Sequence, residues 1–274
     1  MAKYGLLIDE TRCTGCRGCQ VACKQWHDLP ATETKNTGSY TNPPSLNENT
    51  YLMIDYREVE VDGELKWSFL NRRCMHCEHP ACVSACPVGA LKKTESGPVL
   101  WNEDRCIGCR YCMTACPFDV PTFTWNAGLF EGTKIRKCDL CVDRISNGLE
   151  PACVKTCPTG TLMFGERDQM IAVAQERLAK NPDKYYPNQG IYGLNEVGGT
   201  TVLYISHIPF HEMGLPEVGT KRASDVSEKI MKSTPIVAVG WGAILTGGWW
   251  IMQRRNRMMS AKGSGSQKGK ESSR

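Results

Sequence analysis

Residues 13–23 read CTGCRGCQVAC, and residues 106–116 read CIGCRYCMTAC. Both stretches have the spacing C-x2-C-x2-C-x3-C, which is typical of cysteines that bind [4Fe–4S] clusters. The chain has 274 residues and sixteen cysteines, and every cysteine falls into one of four runs of four. Runs one to four, in chain order, are Cys13, Cys16, Cys19 and Cys23; Cys74, Cys77, Cys82 and Cys86; Cys106, Cys109, Cys112 and Cys116; and Cys138, Cys141, Cys153 and Cys157. The pattern predicts four [4Fe–4S] clusters with all sixteen cysteines as iron ligands.

The spacing has a chemical cause. Three thiolates two residues apart on a tight loop bind three corners of one cluster, whereas the fourth cysteine lies on the following helix and binds the other cluster of a pair. Each run therefore needs a partner run. Runs two and four depart from the regular spacing, with four residues between Cys77 and Cys82 and eleven between Cys141 and Cys153. Proline follows the last cysteine in runs two, three and four, whereas run one has Lys24 at this place.

Other uses of cysteine compete with this interpretation. Structural zinc sites also contain C-x2-C pairs, but they do not need a third cysteine two residues further on. A disulfide framework is typical of short secreted chains with other spacings. A third possibility is a scaffold whose clusters only stabilise the fold, and reduction of the clusters by a substrate would distinguish it from an electron carrier.

The sequence has no pattern of a catalytic site, because every cysteine is assigned to a cluster and the glycines lack a phosphate-binding spacing. His76 and His79 flank the second cysteine of run two, where they are expected to donate hydrogen bonds to cluster sulfur or to lie at the surface. Lys24, Lys137 and Arg144 lie near cysteines and could shift cluster potentials through their charge. We therefore predict an electron-transfer protein without a catalytic site of its own.

The positive charge of the chain is concentrated at its C-terminal end. The formal net charge is +4, but residues 254–274 contain seven Lys or Arg and one acid, so that the rest of the chain is net negative. This distribution argues against a basic nucleic-acid-binding face. Before this tail, Thr234–Gln253 reads TPIVAVGWGAILTGGWWIMQ, twenty residues without a charge. At 1.5 Å per residue, this stretch spans the ~30 Å hydrocarbon core of a membrane.

Composition also indicates how the segment is arranged in the membrane. Ser233 is a suitable N-cap and Pro235 suits the first turn of the transmembrane helix. The excess of Lys and Arg after the helix predicts a cytoplasmic tail, with residues 1–230 on the other side of the cytoplasmic (inner) membrane. The N-terminal residues have no signal peptide, so we expect the folded domain to cross bound to a partner; a cytoplasmic cluster domain is the alternative. The helix contains no histidine, so haem would have to be bound by another subunit.

The remaining patterns give the organisation of the chain. We expect a strand at Tyr4–Asp9, a hairpin of residues 51–61 and 64–70 turning at Asp62-Gly63, a strand at 161–165, an amphipathic helix at Arg167–Lys180 and extended structure at 191–209. The fold class is therefore α+β, with two bacterial-ferredoxin-like domains and one C-terminal transmembrane helix. The predicted segments are 1–165 for the two ferredoxin-like domains with an insertion at 24–73, 166–232 for a C-terminal extension, 233–253 for the transmembrane helix and 254–274 for a basic disordered tail.

The cysteine runs with their surroundings resemble the iron–sulfur (beta) subunit of membrane-bound respiratory formate dehydrogenase. The stretches that carry this resemblance are CTGCRGCQVACKQW (13–26), RRCMHCEHPACVSACPVGAL (72–91), CIGCRYCMTACPFDVP (106–121), KCDLCVDRISNGLEPACVKTCPTGTLMFG (137–165) and VGGT (197–200). It extends from Leu6 to the apolar segment, although the insertion and the tail match less well. The runs alone would also fit the equivalent subunits of nitrate, polysulfide or dimethyl sulfoxide enzymes or of a hydrogenase.

The resemblance implies a middle subunit that carries electrons. A catalytic (alpha) subunit with a molybdenum or tungsten pterin would oxidise formate, and a cytochrome b (gamma) subunit in the membrane would pass the electrons to quinone. The resemblance also implies a nested pairing, in which run one shares ligands with run four and run two with run three. The four ligand sets would be Cys13, Cys16, Cys19 with Cys157; Cys138, Cys141, Cys153 with Cys23; Cys74, Cys77, Cys82 with Cys116; and Cys106, Cys109, Cys112 with Cys86.

Overall fold

The computed structural model describes residues 3–124 and 132–268, with side chains as far as Met259. The chain divides into two units, the first ending at Glu228 and the second beginning at Lys229. The strands are β1 (Tyr4–Asp9), β2 (Met53–Val61), β3 (Glu64–Arg72), β4 (Leu91–Lys93), β5 (Val99–Trp101), β6 (Thr122–Phe123), β7 (Ile135–Arg136), β8 (Leu162–Glu166) and β9 (Val202–Ile205). The α-helices are α1 (Gly18–Trp26), α2 (Ala81–Ser84), α3 (Tyr111–Thr114), α4 (Val142–Ser146), α5 (Ala152–Lys155), α6 (Arg167–Lys180), α7 (Phe210–Met213) and α8 (Ser224–Lys268).

A three-stranded sheet joins the two ends of the first unit. Strand β1 lies in the middle, antiparallel to β8 and parallel to β9. Helix α6 packs on one face of this sheet, with Met170 and Ala174 buried against Leu7 and Leu203. The predictions of a strand at Tyr4–Asp9 and of a helix at Arg167–Lys180 are confirmed. Because β9 is hydrogen-bonded to β1, the predicted C-terminal extension belongs, as far as Glu228, to the same unit as the cysteine runs.

The insertion between runs one and two contains the predicted hairpin. Strands β2 and β3 pair over nine residues each, with Val61 opposite Glu64. The two turn residues, Asp62 and Gly63, both have positive φ, as the two-residue turns that match strand twist require. The end of β3 leads directly into Cys74, so the hairpin sets where run two begins.

Two short hairpins, β4–β5 and β6–β7, flank run three. They enclose a second apolar cluster in which Leu91, Val99, Phe123 and Ile135 are buried around Cys112. Residues 125–131, which separate the two strands of the second hairpin, lie outside the described part of the chain. Cys82, Cys86 and Cys106 pack against this small cluster, whereas Cys74, Cys77 and Cys116 lie in or against the main core.

Residues 191–209 are less extended than their sequence predicts. Strand β9 covers only Val202–Ile205, and a 3₁₀ turn at Glu196–Gly198 interrupts the segment before it. Gly198 and Gly199 both have positive φ, which an ordinary strand does not allow. All four residues of β9 are buried, so the period-two alternation of polar and apolar residues that marks a half-buried strand is absent here.

The apolar C-terminal helix begins earlier and ends later than predicted. Helix α8 starts at Ser224, so Ser233 is not its N-cap and Pro235 lies inside the helix. The hydroxyl groups of Ser233 and Thr234 both donate to the carbonyl oxygen of Ile230, at 2.9 and 2.8 Å. A proline in this place removes one main-chain donor, but the flanking residues continue the helix.

The tail also differs from its prediction, because α8 continues to Lys268 where disorder was expected from residue 254. Arginine and methionine favour helix, and a helix that already exists extends without a new nucleation cost. Among the described residues, α8 is the one helix long and apolar enough to cross a membrane, over Ser224–Met259. This helix is compatible with membrane anchoring. Its first turn belongs to the first unit, where the hydroxyl groups of Ser227 and Ser84 are hydrogen-bonded.

Candidate metal centres

The loops that carry the C-x2-C pairs share one backbone feature. In every run the residue two positions after the first cysteine has a positive φ; these residues are Gly15 (66°), His76 (48°), Gly108 (70°) and Leu140 (63°). Runs one and three repeat the feature at Arg17 and Arg110. Alternation of right- and left-handed residues turns successive backbone N–H groups towards one point, which makes an anion-binding concavity of the kind found at iron–sulfur sites.

A second recurring turn begins at the last cysteine of runs two, three and four. In each case the N–H of the third following residue donates to the cysteine carbonyl at 3.4 Å; these residues are Gly89, Asp119 and Gly160, with φ between 56° and 62°. The proline after the cysteine ends the preceding helix, because it lacks an N–H and disfavours further helix. Run one has Lys24 in this place, and α1 accordingly continues past Cys23 to Trp26.

These turns direct main-chain donors at sulfur. The N–H of Ala90 donates to Cys86 Sγ at 3.2 Å. Burial raises the pKa of the Cys157 thiol, but hydrogen bonds from the N–H of Leu162, the Thr159 hydroxyl and the N–H groups of Thr159 and Thr161 outweigh it, so that the pKa is lowered. Donors of this kind favour the thiolate, which is the form that binds metal.

Helix packing brings the runs together in pairs. Helix α1, which carries Cys19 and Cys23, packs against α5, which carries Cys153. Helix α2, which carries Cys82, packs against α3, which carries Cys112. Run one therefore lies beside run four, and run two beside run three.

Within these pairs, the last cysteine of each run interacts with thiols of the other run. Burial raises the pKa of Cys23, and the thiols of Cys138, Cys153 and Cys141 raise it further. Burial also raises the pKa of Cys13 to about 11, with smaller contributions from Glu10, Cys157 and Cys16.

Runs two and three repeat this relation. Burial raises the pKa of Cys112 to about 12, followed by the effects of Cys86, Cys106 and Cys109. Burial raises the pKa of Cys77, and the thiols of Cys74, Cys116 and Cys82 contribute as well. Binding of iron by these thiols would therefore require the loss of their protons.

One cavity is lined by cysteines of runs two and three. Its walls include the sulfur-bearing residues Cys86, Cys106, Cys109 and Cys112, together with apolar side chains of Leu91, Phe123 and Ile135. Three cysteines of run three thus face the last cysteine of run two around a common space. Both short hairpins contribute to its walls, which explains their position beside run three.

Two buried cations lie among the cysteines. The side chain of Arg73 is at hydrogen-bond distance from two sulfur atoms, with Nη1 3.2 Å from Cys153 Sγ and Nη2 3.2 Å from Cys138 Sγ. Lys137 is 1% exposed and donates to the carbonyl oxygens of Val99 and Cys138. Among the described residues, neither forms an ion pair with a carboxylate. A buried cation requires a compensating negative charge, which metal-bound thiolates would supply.

Two buried hydrogen-bond donors without a protein partner also indicate an anionic group among the cysteines. His76 is fully buried, and its Nδ1 accepts a hydrogen bond from the N–H of Val99 at 2.9 Å. The proton of the neutral ring is therefore on Nε2, which has no partner among the described protein atoms; the same holds for Nε of Arg73. Sulfur ligands in groups of four, concave N–H groups, buried cations and free donors together fit anionic iron–sulfur clusters.

Known proteins support this assignment. Residues 12–90 and residues 65–167 each match the family described as 4Fe-4S dicluster domain. The formate dehydrogenase-O iron-sulfur subunit of Escherichia coli (strain K12) is 42% identical over 245 residues, which cover 86% of this chain and 78% of the relative. The nitrate-inducible formate dehydrogenase iron-sulfur subunit of the same organism is 39% identical over 252 residues, covering 90% and 83%. The chain belongs to the family of formate dehydrogenase iron–sulfur subunits.

A third relative supports this membership. Formate dehydrogenase 2 subunit beta (cytochrome c-553) of Nitratidesulfovibrio vulgaris is 41% identical over 208 residues, which cover 73% of this chain and 91% of the relative. The resemblance inferred from the cysteine runs is confirmed, and with it the role of an electron-transfer subunit containing 4Fe–4S domains. Of the charged residues that the sequence indicated, Lys137 does lie buried beside the cysteines.

Lys24 and Arg144 are the other two basic residues that the sequence of this formate dehydrogenase iron–sulfur subunit places near cysteines. Their side chains contact groups other than sulfur. Lys24 Nζ donates hydrogen bonds to the carbonyl oxygens of Pro30 and Asn49 and to the Thr32 hydroxyl. These bonds stabilise the conformation of the insertion. The Arg144 guanidinium lies over the Trp26 ring, 4.3 Å from its centroid. Neither contact involves sulfur.

The sequence did not indicate Arg73, Asn71 or His27. Asn71 Nδ2 donates to Cys19 Sγ at 3.4 Å, and His27 Nε2 lies 3.8 Å from Cys141 Sγ. Asn71 lies near the end of β3 and Arg73 directly follows the strand, immediately before run two. Their period-two spacing was the available signal that both side chains point the same way. His79, in contrast, makes no hydrogen bond to sulfur among those described, whereas His76 is buried.

Replacement of Gly108 tests the loop geometry of this iron–sulfur subunit. Gly108 has a φ of 70°, and an added Cβ would lie 2.7 Å from the carbonyl oxygen of Thr133. We expect Gly108→Ala to lose the cluster of run three, with iron content falling by about four atoms per chain. Iron analysis and EPR of the purified protein measure this loss.

Gly148→Ala is the matched control. Gly148 has a φ of 72° but nothing within 4 Å of an added Cβ, so alanine there adds only the left-handed strain of about 1–2 kcal/mol. Full iron content in the control and in Gly108→Ala alike would show that the close approach at Gly108 does not shape a cluster site.

Proposed function

We propose that this formate dehydrogenase subunit relays electrons through four [4Fe–4S] clusters, each bound by three cysteines of one run and the last cysteine of another. The observation that carries the proposal is the proximity of each final cysteine to thiols of a different run. The proposed ligand sets are Cys13, Cys16, Cys19, Cys157; Cys138, Cys141, Cys153, Cys23; Cys74, Cys77, Cys82, Cys116; and Cys106, Cys109, Cys112, Cys86.

The bound clusters supply one-electron oxidation and reduction. The chain's own residues fix their positions and their environment. The left-handed residues of the loops aim N–H groups inward, the Cys-Pro turns add donors to the last sulfur, and seven of the sixteen cysteines are buried, most of them within the apolar clusters. In this proposal all sixteen cysteines are structural ligands, and the chain has no catalytic site of its own.

The two electrons from formate would enter from a catalytic subunit that contains a molybdenum or tungsten pterin. They would leave, one at a time, to a cytochrome b subunit in the membrane and from there reach quinone. Membership in the formate dehydrogenase family supports the first partner. The apolar helix supports the second, because α8 has no histidine with which to bind haem itself.

We further propose that α8 spans the cytoplasmic membrane once, with the cluster-bearing unit outside the cytoplasm. Support comes from the charge difference across the apolar stretch, since Arg254, Arg255 and Arg257 follow it directly. Trp249 and Trp250 near this end are exposed and suit the membrane interface.

Iron and sulfide analysis tests the number and type of the metal centres. We expect about sixteen iron and about sixteen acid-labile sulfide per chain, because four cubic clusters each contain four of both. The measurement is made on protein purified without oxygen, with zinc determined in parallel. About eight iron with stoichiometric zinc would mean that two of the sites are not clusters.

A pair of serine variants tests the exchange of ligands between runs. Cys157→Ser is expected to perturb the EPR signal of the cluster bound by Cys13, Cys16 and Cys19, whereas Cys153→Ser perturbs the one that also includes Cys138 and Cys141. Two different signals should therefore change, although both cysteines belong to run four. Loss of the same signal in both variants would contradict the nested pairing.

Protease accessibility tests the orientation. A protease site inserted after Gly190, an exposed residue with free space around it, should be cut in intact spheroplasts, while a site added after Arg274 should be cut only in inverted vesicles. This result follows from the positive-inside rule. The reverse pattern would place the clusters in the cytoplasm without changing the proposed electron relay.

A further inference from the structure

Arg73 differs from every other basic residue described in the chain, because its guanidinium contacts two cysteine sulfurs and is removed from water. The residue is 3% exposed. Nη1 and Nη2 each lie 3.2 Å from a sulfur, of Cys153 and Cys138 respectively. Both sulfurs belong to run four, and both are assigned to the cluster that Cys141 and Cys23 complete. The planar fork of arginine is suited to two acceptors held side by side.

The charge of Arg73 has no other compensation among the described residues. It forms no ion pair with a carboxylate there, and its third donor, Nε, has no protein partner. The neighbouring Lys137 is a cation as well. A guanidinium keeps its proton under all conditions that proteins meet, so the site carries a permanent positive charge that anionic sulfur ligands would balance.

We propose that Arg73 raises the reduction potential of the cluster bound by Cys23, Cys138, Cys141 and Cys153, and thereby makes it the preferred electron acceptor of its pair. The inference rests on the proposed function, since it needs the clusters to be present. On reduction, one electron passes to the iron core from the preceding centre of the relay; no bond forms or breaks, and Arg73 neither gains nor loses a proton. The added negative charge is stabilised by the fixed cation, which favours the reduced state.

The surroundings of the partner cluster differ. Around the site of Cys13, Cys16, Cys19 and Cys157, the described contacts to sulfur are neutral donors, such as Asn71 Nδ2 on Cys19 and the Thr159 hydroxyl near Cys157. Cys16 is exposed to solvent, whereas Cys138, Cys141 and Cys153 are buried. A charge acts more strongly where water does not screen it, so the effect of Arg73 should be concentrated on the buried cluster.

Three variants separate charge from geometry. Arg73→Met removes the charge and retains a long side chain. Arg73→Lys retains the charge but cannot donate to both sulfurs with one planar group. Arg144→Gln is the control, because Arg144 also follows a run-four cysteine closely but contacts the Trp26 ring and the carbonyl oxygen of Glu150.

The experiment is an EPR-monitored redox titration of the purified holocomplex. In Arg73→Met we expect one of the four midpoints to fall, by at least a tenfold change in the reduction equilibrium, which is about 59 mV for one electron. Arg73→Lys should shift the same midpoint by less, and Arg144→Gln should leave all four unchanged. Unchanged midpoints in a fully loaded Arg73→Met protein, or an equal shift of all four, would overturn the proposal.

A second measurement covers the case in which Arg73→Met does not assemble. Wild-type complex labelled with ¹⁵N-arginine should show nitrogen coupling to one reduced cluster by pulsed ENDOR, and absence of this coupling would overturn the proposal. Iron analysis of the wild-type complex distinguishes failure of the proposed function from failure of the proposal on Arg73. Fewer than four clusters there would contradict the proposed function, whereas four clusters without an arginine effect would contradict only the role of Arg73.

Discussion

Coordination of iron by cysteines from two distant runs is the constraint on which the rest of this fold depends. In the proposed pairing, the last cysteine of a run reaches a cluster whose other ligands lie up to 144 positions away, as for Cys13 and Cys157. Antiparallel pairing of β1 with β8 places the end of β1, which leads into run one, beside the start of β8, which follows run four. Helix α1 against α5 and α2 against α3 then complete the two pairs.

Burial of charge and sulfur couples the fold to its cofactors. Burial raises the pKa of the Cys112 and Cys82 thiols to about 12, and the cations Arg73 and Lys137 are buried beside other cysteines. Iron binding removes the thiol protons and provides compensating negative charge. The buried cations and thiolates would thus stabilise each other in the cluster-bound protein, and we expect folding and cluster insertion to depend on each other.

Local patterns predicted much of this structure because their causes are local. The Asp62-Gly63 turn, the β1 strand and the α6 helix follow from turn chemistry and hydrophobic period, and cysteine spacing alone indicated the 4Fe–4S domains. The start of α8 was placed too late, because Ser233 and Pro235 look like a helix beginning although residues from Ser224 onwards are also compatible with helix. Arg73 was missed for a different reason: nothing next to it in the sequence reveals that Cys138 and Cys153, more than sixty positions away, lie against its guanidinium.

The central claim is that electrons from formate pass through the clusters of this chain during turnover. Rapid freeze-quench EPR of the purified complex, mixed with formate in the absence of an external acceptor, tests it most directly. The account predicts that the clusters of this chain become reduced at least as fast as the complex turns over with an acceptor present. Clusters that stay oxidised, or that are reduced more slowly than formate is consumed in turnover, would contradict it and identify them as a structural scaffold.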